Sequence, residues 1–153
     1  MQPRMVFQSL GGLVALLFLV GCKPSTPKFT LTINEKECSY QGPSQMSEGD
    51  LVIDLVVNEQ KLTETGFSLF TLEPGKTIED VRAQRSSDQP PWVITIANVH
   101  EMAGGTHTYS YNTTNFTQNA RYTGGPYYLV CFRTDPETGI TAALGVFGPI
   151  EVK

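Results

Sequence analysis

An all-β sandwich carrying one short helix is the fold this sequence predicts, and three observations predict it. From Phe29 onward, seven short runs of alternating or wholly apolar residues follow one another, spaced as strands are when successive side chains point to opposite faces. Turn signals punctuate them at Gly42-Pro43, Glu48-Gly49-Asp50, Pro74-Gly75, Gly104-Gly105, Gly124-Gly125-Pro126 and Gly148-Pro149. A single segment, near residue 77, carries helix-start signals instead. Short strands at regular spacing with little helix between them build two packed sheets.

Phe29-Thr30-Leu31-Thr32-Ile33 alternates as a half-buried strand should. Residues 51–57 put Leu51, Ile53, Leu55 and Val57 on one face, and the other face carries a single charge, Asp54, so this strand is expected at the centre of a sheet. Phe67 to Leu72, Trp92 to Val99, Thr106 to Tyr111, Tyr127 to Phe132 and Leu144 to Val152 complete the set. Between them, Thr77 is the expected N-cap of a helix of two to three turns, with Glu79 and Asp80 in its first turn and an end near Ser86-Ser87. Pro90-Pro91 then forbids helix and favours an extended edge entry before Trp92.

Residues 1–21 read as an export signal: Arg4 in the n-region, then an eleven-residue apolar stretch from Leu10 to Val20. That stretch is too short to cross a bilayer permanently, which takes about 20 apolar residues. Leu19-Val20-Gly21-Cys22 resembles the bacterial lipobox. The resemblance implies that the Cys22 thiol receives a lipid, the leader is cut before it, and the new amino group is acylated, so that two or three chains hold the protein to a membrane. Residues 22–28 are the lipidated cysteine and a proline-punctuated tether, and 29–153 the folded domain. The expected location is the extracytoplasmic side of a bacterial membrane.

Of 153 residues, 15 are acidic and 11 basic, a net charge of −4; without Arg4 the mature part has ten basic residues and a net charge of −5. No basic field exists to hold a phosphate backbone, which excludes nucleic acid as a partner. About 130 residues beyond the leader suffice for one core and not for two. Lipidation of Cys22 leaves Cys38 and Cys131 in an oxidising compartment, where a single bridge between them is expected.

With the strands placed, the chain resembles the cupredoxin-like domains, a Greek-key β-sandwich family, and more narrowly certain uncharacterised bacterial lipoproteins with this fold. Met46-Ser47-Glu48-Gly49-Asp50 is similar to the turn before the family's second long strand, which here ends in Val57-Asn58. Gly124-Gly125-Pro126-Tyr127-Tyr128-Leu129-Val130-Cys131 resembles the penultimate strand, with the copper-binding cysteine at its end, and Leu144 to Val152 the closing strand. An immunoglobulin-like domain is the competitor, but the 93 positions between Cys38 and Cys131 exceed the usual inter-sheet pair there. A blue-copper site needs two histidines, a cysteine thiolate and usually a methionine. The 22 residues after Cys131 hold neither histidine nor methionine, and no histidine follows Asn58 closely. Three of the four ligands are missing, and electron transfer drops out of the reading.

His100, Met102 and His107 flank the Gly104-Gly105 turn, where one hairpin would bring them together. Histidine with methionine suits Cu(I), so a copper-handling protein using these three residues is the alternative function. Gly104 stands where His-Glu-x-x-His would need its second histidine, which argues against zinc. No Gly-x-Ser-x-Gly elbow, phosphate loop or dinucleotide fingerprint occurs, and neither an enzyme nor a cofactor is expected. Tyr109, Tyr111, Tyr122, Tyr127 and Tyr128 read as sheet packing, with a glycan or peptide groove as the other reading. The function expected is a non-catalytic binding or structural module, anchored at the cell envelope, whose partner is an envelope protein or glycan.

Overall fold

The computed structural model describes residues 25–58, 64–83, 89–118 and 126–153. The leader, Cys22, the start of the tether, the expected helix end near Ser86-Ser87 and Tyr122 lie outside these residues.

Two sheets pack face to face. The first contains β1 (Lys28–Ile33), β2 (Cys38–Gln41), β4 (Asp50–Val57) and β7 (Gly105–Asn112), in the order β2-β1-β4-β7. The second contains β3 (Gln45–Met46), β5 (Thr65–Leu72), β6 (Val93–Glu101), β8 (Tyr127–Thr134) and β9 (Thr141–Val152), in the order β3-β9-β8-β5-β6. Both sheets are mixed: β1 runs parallel to β4, β3 runs parallel to β9, and the remaining pairs are antiparallel. A 3₁₀ turn, Thr113–Gln118, follows β7.

The alternation legible in the sequence sets the inner faces. Phe29, Leu31 and Ile33 of β1 and Leu51, Ile53, Leu55 and Val57 of β4 meet Phe67, Leu69, Tyr127, Leu129, Cys131 and Ile150 from the second sheet in one buried cluster. β4 lies between β1 and β7, the central place expected for it. The outer face of the second sheet carries a smaller cluster, Phe70, Leu72, Val93 and Tyr128, which α1 (Ile78–Arg82) covers with Ile78 and Val81.

Three expectations need correction. α1 spans five residues with Ala83 as its C-cap, shorter than two to three turns. Its start is as expected: Thr77 Oγ1 accepts from the Asp80 N–H while the Asp80 carboxylate accepts from the Thr77 N–H, a reciprocal capping box. Beyond Val81 the sequence Arg-Ala-Gln-Arg offers no large apolar side chain to dock on the sheet, and tertiary packing is what sustains a short helix. β2 and β3 were not foreseen, since four and two residues beside Pro43 are too short to show a period. Finally, β6 and β7 do not form a hairpin. Gly104-Gly105 lies on a crossing from one sheet to the other.

Candidate functional site

Cys38 and Cys131 form a disulfide, with 6.3 Å between their Cα atoms. Cys38 stands at the start of the edge strand β2, and Cys131 lies inside the other sheet on β8, between β5 and β9, with no exposed surface. The bridge therefore ties the two sheets through the core. Cys131 is the fifth of eight residues in β8, not its last, so it departs from the cupredoxin-like pattern in position as well as in bonding. Its sulfur, already bonded to another, offers no thiolate to a metal.

The structure separates the two histidines. His100 lies on β6, paired in register with Gly66, and points to the outer face of the second sheet. Gly66 is also in register with Phe132 of β8. With no side chain at Gly66, the His100 and Phe132 rings close over it, centroids 4.9 Å apart. The imidazole is held on both sides, Nδ1 by Glu64 at 2.6 Å and Nε2 by the Asn98 amide at 2.8 Å. These contacts give His100 a packing role.

His107 lies on β7 in the first sheet and turns inward. Its Nε2 meets the Ala103 carbonyl at 3.1 Å and its Nδ1 lies 3.6 Å from Glu101 Oε2. Glu101 closes β6 with its side chain between the sheets, where its other oxygen accepts a hydrogen bond from the Tyr109 hydroxyl. Burial first, then the bond to the Glu101 carboxylate, pushes the Tyr109 phenol above its ordinary value. Tyr109 in turn meets the edge of Phe67 at 5.4 Å. Glu101, Tyr109 and His107 thus make a polar clasp between β6 and β7, on the side of the sandwich away from the disulfide. Sequence reasoning missed this clasp: Glu101 carried no visible partner, because the sheet crossing that supplies one is not local.

Met102, between the histidines, is 56% exposed. Among the described residues, no three His, Cys, Asp or Glu side chains group so as to hold a metal ion. The described tyrosines are packing residues. Tyr127 and Tyr128 are buried, Tyr111 leans on Phe116, and Tyr40 stacks between Phe29 and Phe147. Burial raises the Tyr40 phenol to about 12.

Asp54, on the outer face of β4, is paired. Lys28 Nζ lies 2.7 Å from one carboxylate oxygen and the Thr108 hydroxyl donates to the other at 2.8 Å. The Lys28 hydrogen bond, aided by Thr108, holds the carboxyl below its ordinary value against the opposing pull of burial. Two open clefts flank the start of β1. One of about 570 Å³ runs past Ser25, Gln45, Met46, Glu48, Asp50 and Lys153, and one of about 530 Å³ past Thr26, Ser110 and Asn112. Neither brings a nucleophile together with a histidine base. No described helix is long and apolar enough to cross a membrane. No family model, curated protein or solved structure matches the chain.

Proposed function

We propose that this chain is a membrane-anchored extracytoplasmic lipoprotein. Its cupredoxin-like sandwich serves as a non-catalytic binding or structural module at the cell envelope, facing an envelope protein or glycan. The observation that carries the reading is the Cys38–Cys131 disulfide. Structural disulfides persist in oxidising compartments, and this one takes two of the three cysteines, leaving Cys22, the one in the lipobox. The cupredoxin-like assignment is supported by the two-sheet sandwich and by the pairing of the penultimate strand β8 with the closing strand β9. The non-catalytic reading is supported by the candidate side chains themselves. Cys131 is bridged, His100 covers a glycine, and Glu101 and His107 join the sheets. Detergent phase partition tests the anchor. The full chain is expected in the detergent phase, and Cys22→Ser is expected to lose both cleavage and partition. Equal cleavage and equal membrane binding of the two proteins would overturn it.

Copper handling through His100, Met102 and His107 is the competing reading, supported by the exposed Met102 thioether beside the sheet crossing. Copper titration separates the two. Stoichiometric Cu(I) binding that is lost in His107→Ala and Met102→Ala would favour the competitor. A blue Cu(II)-thiolate band is expected in neither case, because it needs a free Cys131 thiolate.

A further inference from the structure

The four sheet edges are not equivalent. β3 is two residues long, and β2 is four residues long with Pro43 close behind. β6 is interrupted where its register with β5 shifts between Leu69 and Phe70, and both backbone groups of its first residue are taken, the Val93 carbonyl accepting from Gln89 Nε2 at 2.9 Å and the Val93 N–H donating to the Pro90 carbonyl at 3.0 Å. Short strands, prolines, bulges and capping side chains are the ordinary ways of blunting an edge. β7 has none of them. It pairs with β4 in unbroken register from Asp50↔Asn112 to Val57↔Gly105, and its sequence Gly-Thr-His-Thr-Tyr-Ser-Tyr-Asn contains no proline, lysine, arginine or carboxylate.

The outward backbone groups of β7 can be assigned. Thr113 N donates to Gly49 O at 2.9 Å. Because antiparallel pairs alternate, Tyr111, Tyr109, His107 and Gly105 then bond to β4, while the N–H and C=O groups of Thr106, Thr108, Ser110 and Asn112 point away from the sheet. Among the described residues none takes up these groups on Thr106, Thr108 and Ser110.

We propose that β7 is a self-pairing edge, at which two copies of this chain join antiparallel and fuse their four-stranded sheets into one continuous sheet. The register that engages every outward group sets Thr106 opposite Asn112 and Thr108 opposite Ser110, with Tyr109 facing its counterpart at the two-fold axis. Thr–Ser neighbours on the outer face hydrogen-bond across strands, and nowhere in the strand do like charges meet. A second copy is the occupant for two reasons. The uncharged edge is complementary to itself, and the axis, perpendicular to the sheet, leaves the start of β1 in both copies at one height along that axis, at opposite ends of the fused sheet, so a membrane parallel to the sheet face can hold both anchors. This second reason rests on the anchored reading. Edge pairing alone belongs to the smaller interfaces, below about 1,200 Å², and confinement of copies to a membrane raises the local concentration at which such contacts form.

Sedimentation equilibrium of the full chain in detergent tests the proposal, together with Ser110→Pro, which removes one outward N–H and no bond to β4, and Thr108→Lys/Ser110→Lys, which sets lysine against lysine across the pair. The wild type is expected to show a monomer–dimer equilibrium, weakened at least tenfold in both variants while the melting temperature of Ser110→Pro stays near its own. If one variant fails to fold, the other carries the test. A wild type that is monomeric at every concentration, its edge then free for a foreign strand, would overturn the proposal, as would a dimer indifferent to both variants. Repeating the run on Cys22→Ser separates this idea from the anchor. Dimers that persist in Cys22→Ser would show that the edge pairs without the anchor, and wild-type dimers that never enter the detergent phase would leave the edge standing and the anchored reading fallen.

Discussion

At Asp54 a carboxylate within the apolar run of residues 51–57 is held by Lys28 and Thr108, and its lowered pKa is a statement about stability. A group more acidic when folded than when unfolded lets the unfolded chain bind more protons as pH falls, so its contribution is full above the unfolded value, about 4, and is lost as pH drops through the folded one. In denaturation curves taken from neutral to acid pH, Asp54→Asn should therefore be less stable than wild type at neutral pH and lose less on acidification; parallel curves would contradict this. The same scale holds the disulfide. Removing it as Cys38→Ala/Cys131→Ala should cost about 2–5 kcal/mol, the range for a native bridge, whose upper end lies near the roughly 4.7 kcal/mol of the chain-entropy model for a loop of about 100 residues. Urea unfolding of oxidised wild type beside the double variant measures it. This pairing was readable from the sequence because only three cysteines needed sorting. The burial of Cys131 in mid-strand was not, since position within a strand depends on where its neighbours pair.

Among the elements, the second sheet depends on one missing side chain. β5 is central, and at Gly66 both neighbours crowd in: a Cβ built there would stand 1.9 Å from the Val99 carbonyl oxygen and 2.6 Å from Phe132 Cζ. Glycine is ordinarily a weakness inside a strand, and here the His100 and Phe132 rings cover the gap it leaves. Gly66→Ala is expected to destabilise the domain by about 3 kcal/mol or more, at the upper end for overpacking, because backbone cannot yield as a side-chain tip can. Calorimetry would show it, and an unchanged melting temperature would refute the close packing of β6 on β5. The seven strand runs were legible because each is either alternating, as β1 and β4 are, or a short continuous apolar run, as in β8, bounded by turn residues. The crossing from β6 to β7 was hidden, for Gly104-Gly105 turns the chain equally well into a hairpin or across to the other sheet. That one ambiguity bears directly on the candidate metal site, since a hairpin would have set His100 beside His107.

For the molecule as a whole, the sheets are joined at two sides, by the disulfide through β2 and β8 and by the Glu101–Tyr109–His107 clasp through β6 and β7. All-β order, a single core and the oxidised pair follow from composition, periodicity and cysteine number; the clasp and the bare edge of β7 belong to sheet order, which no local pattern encodes. The chain enters the sandwich at one end, where the Pro27 carbonyl already accepts from Val52 N at 3.0 Å, so the folded domain begins within five residues of Cys22. A tether that short keeps the domain close to whatever holds the cysteine. The central claim is that Cys22 is the lipid-bearing first residue of the mature protein and that the other two cysteines are bonded to each other. Mass spectrometry of protein digested without reduction from its native envelope tests both parts at once. The account predicts an N-terminal peptide beginning at Cys22 with the mass of attached acyl chains, and a cross-linked peptide containing Cys38 and Cys131. An unmodified Cys22 within an uncut leader, or free thiols at Cys38 and Cys131 in folded protein, would contradict it.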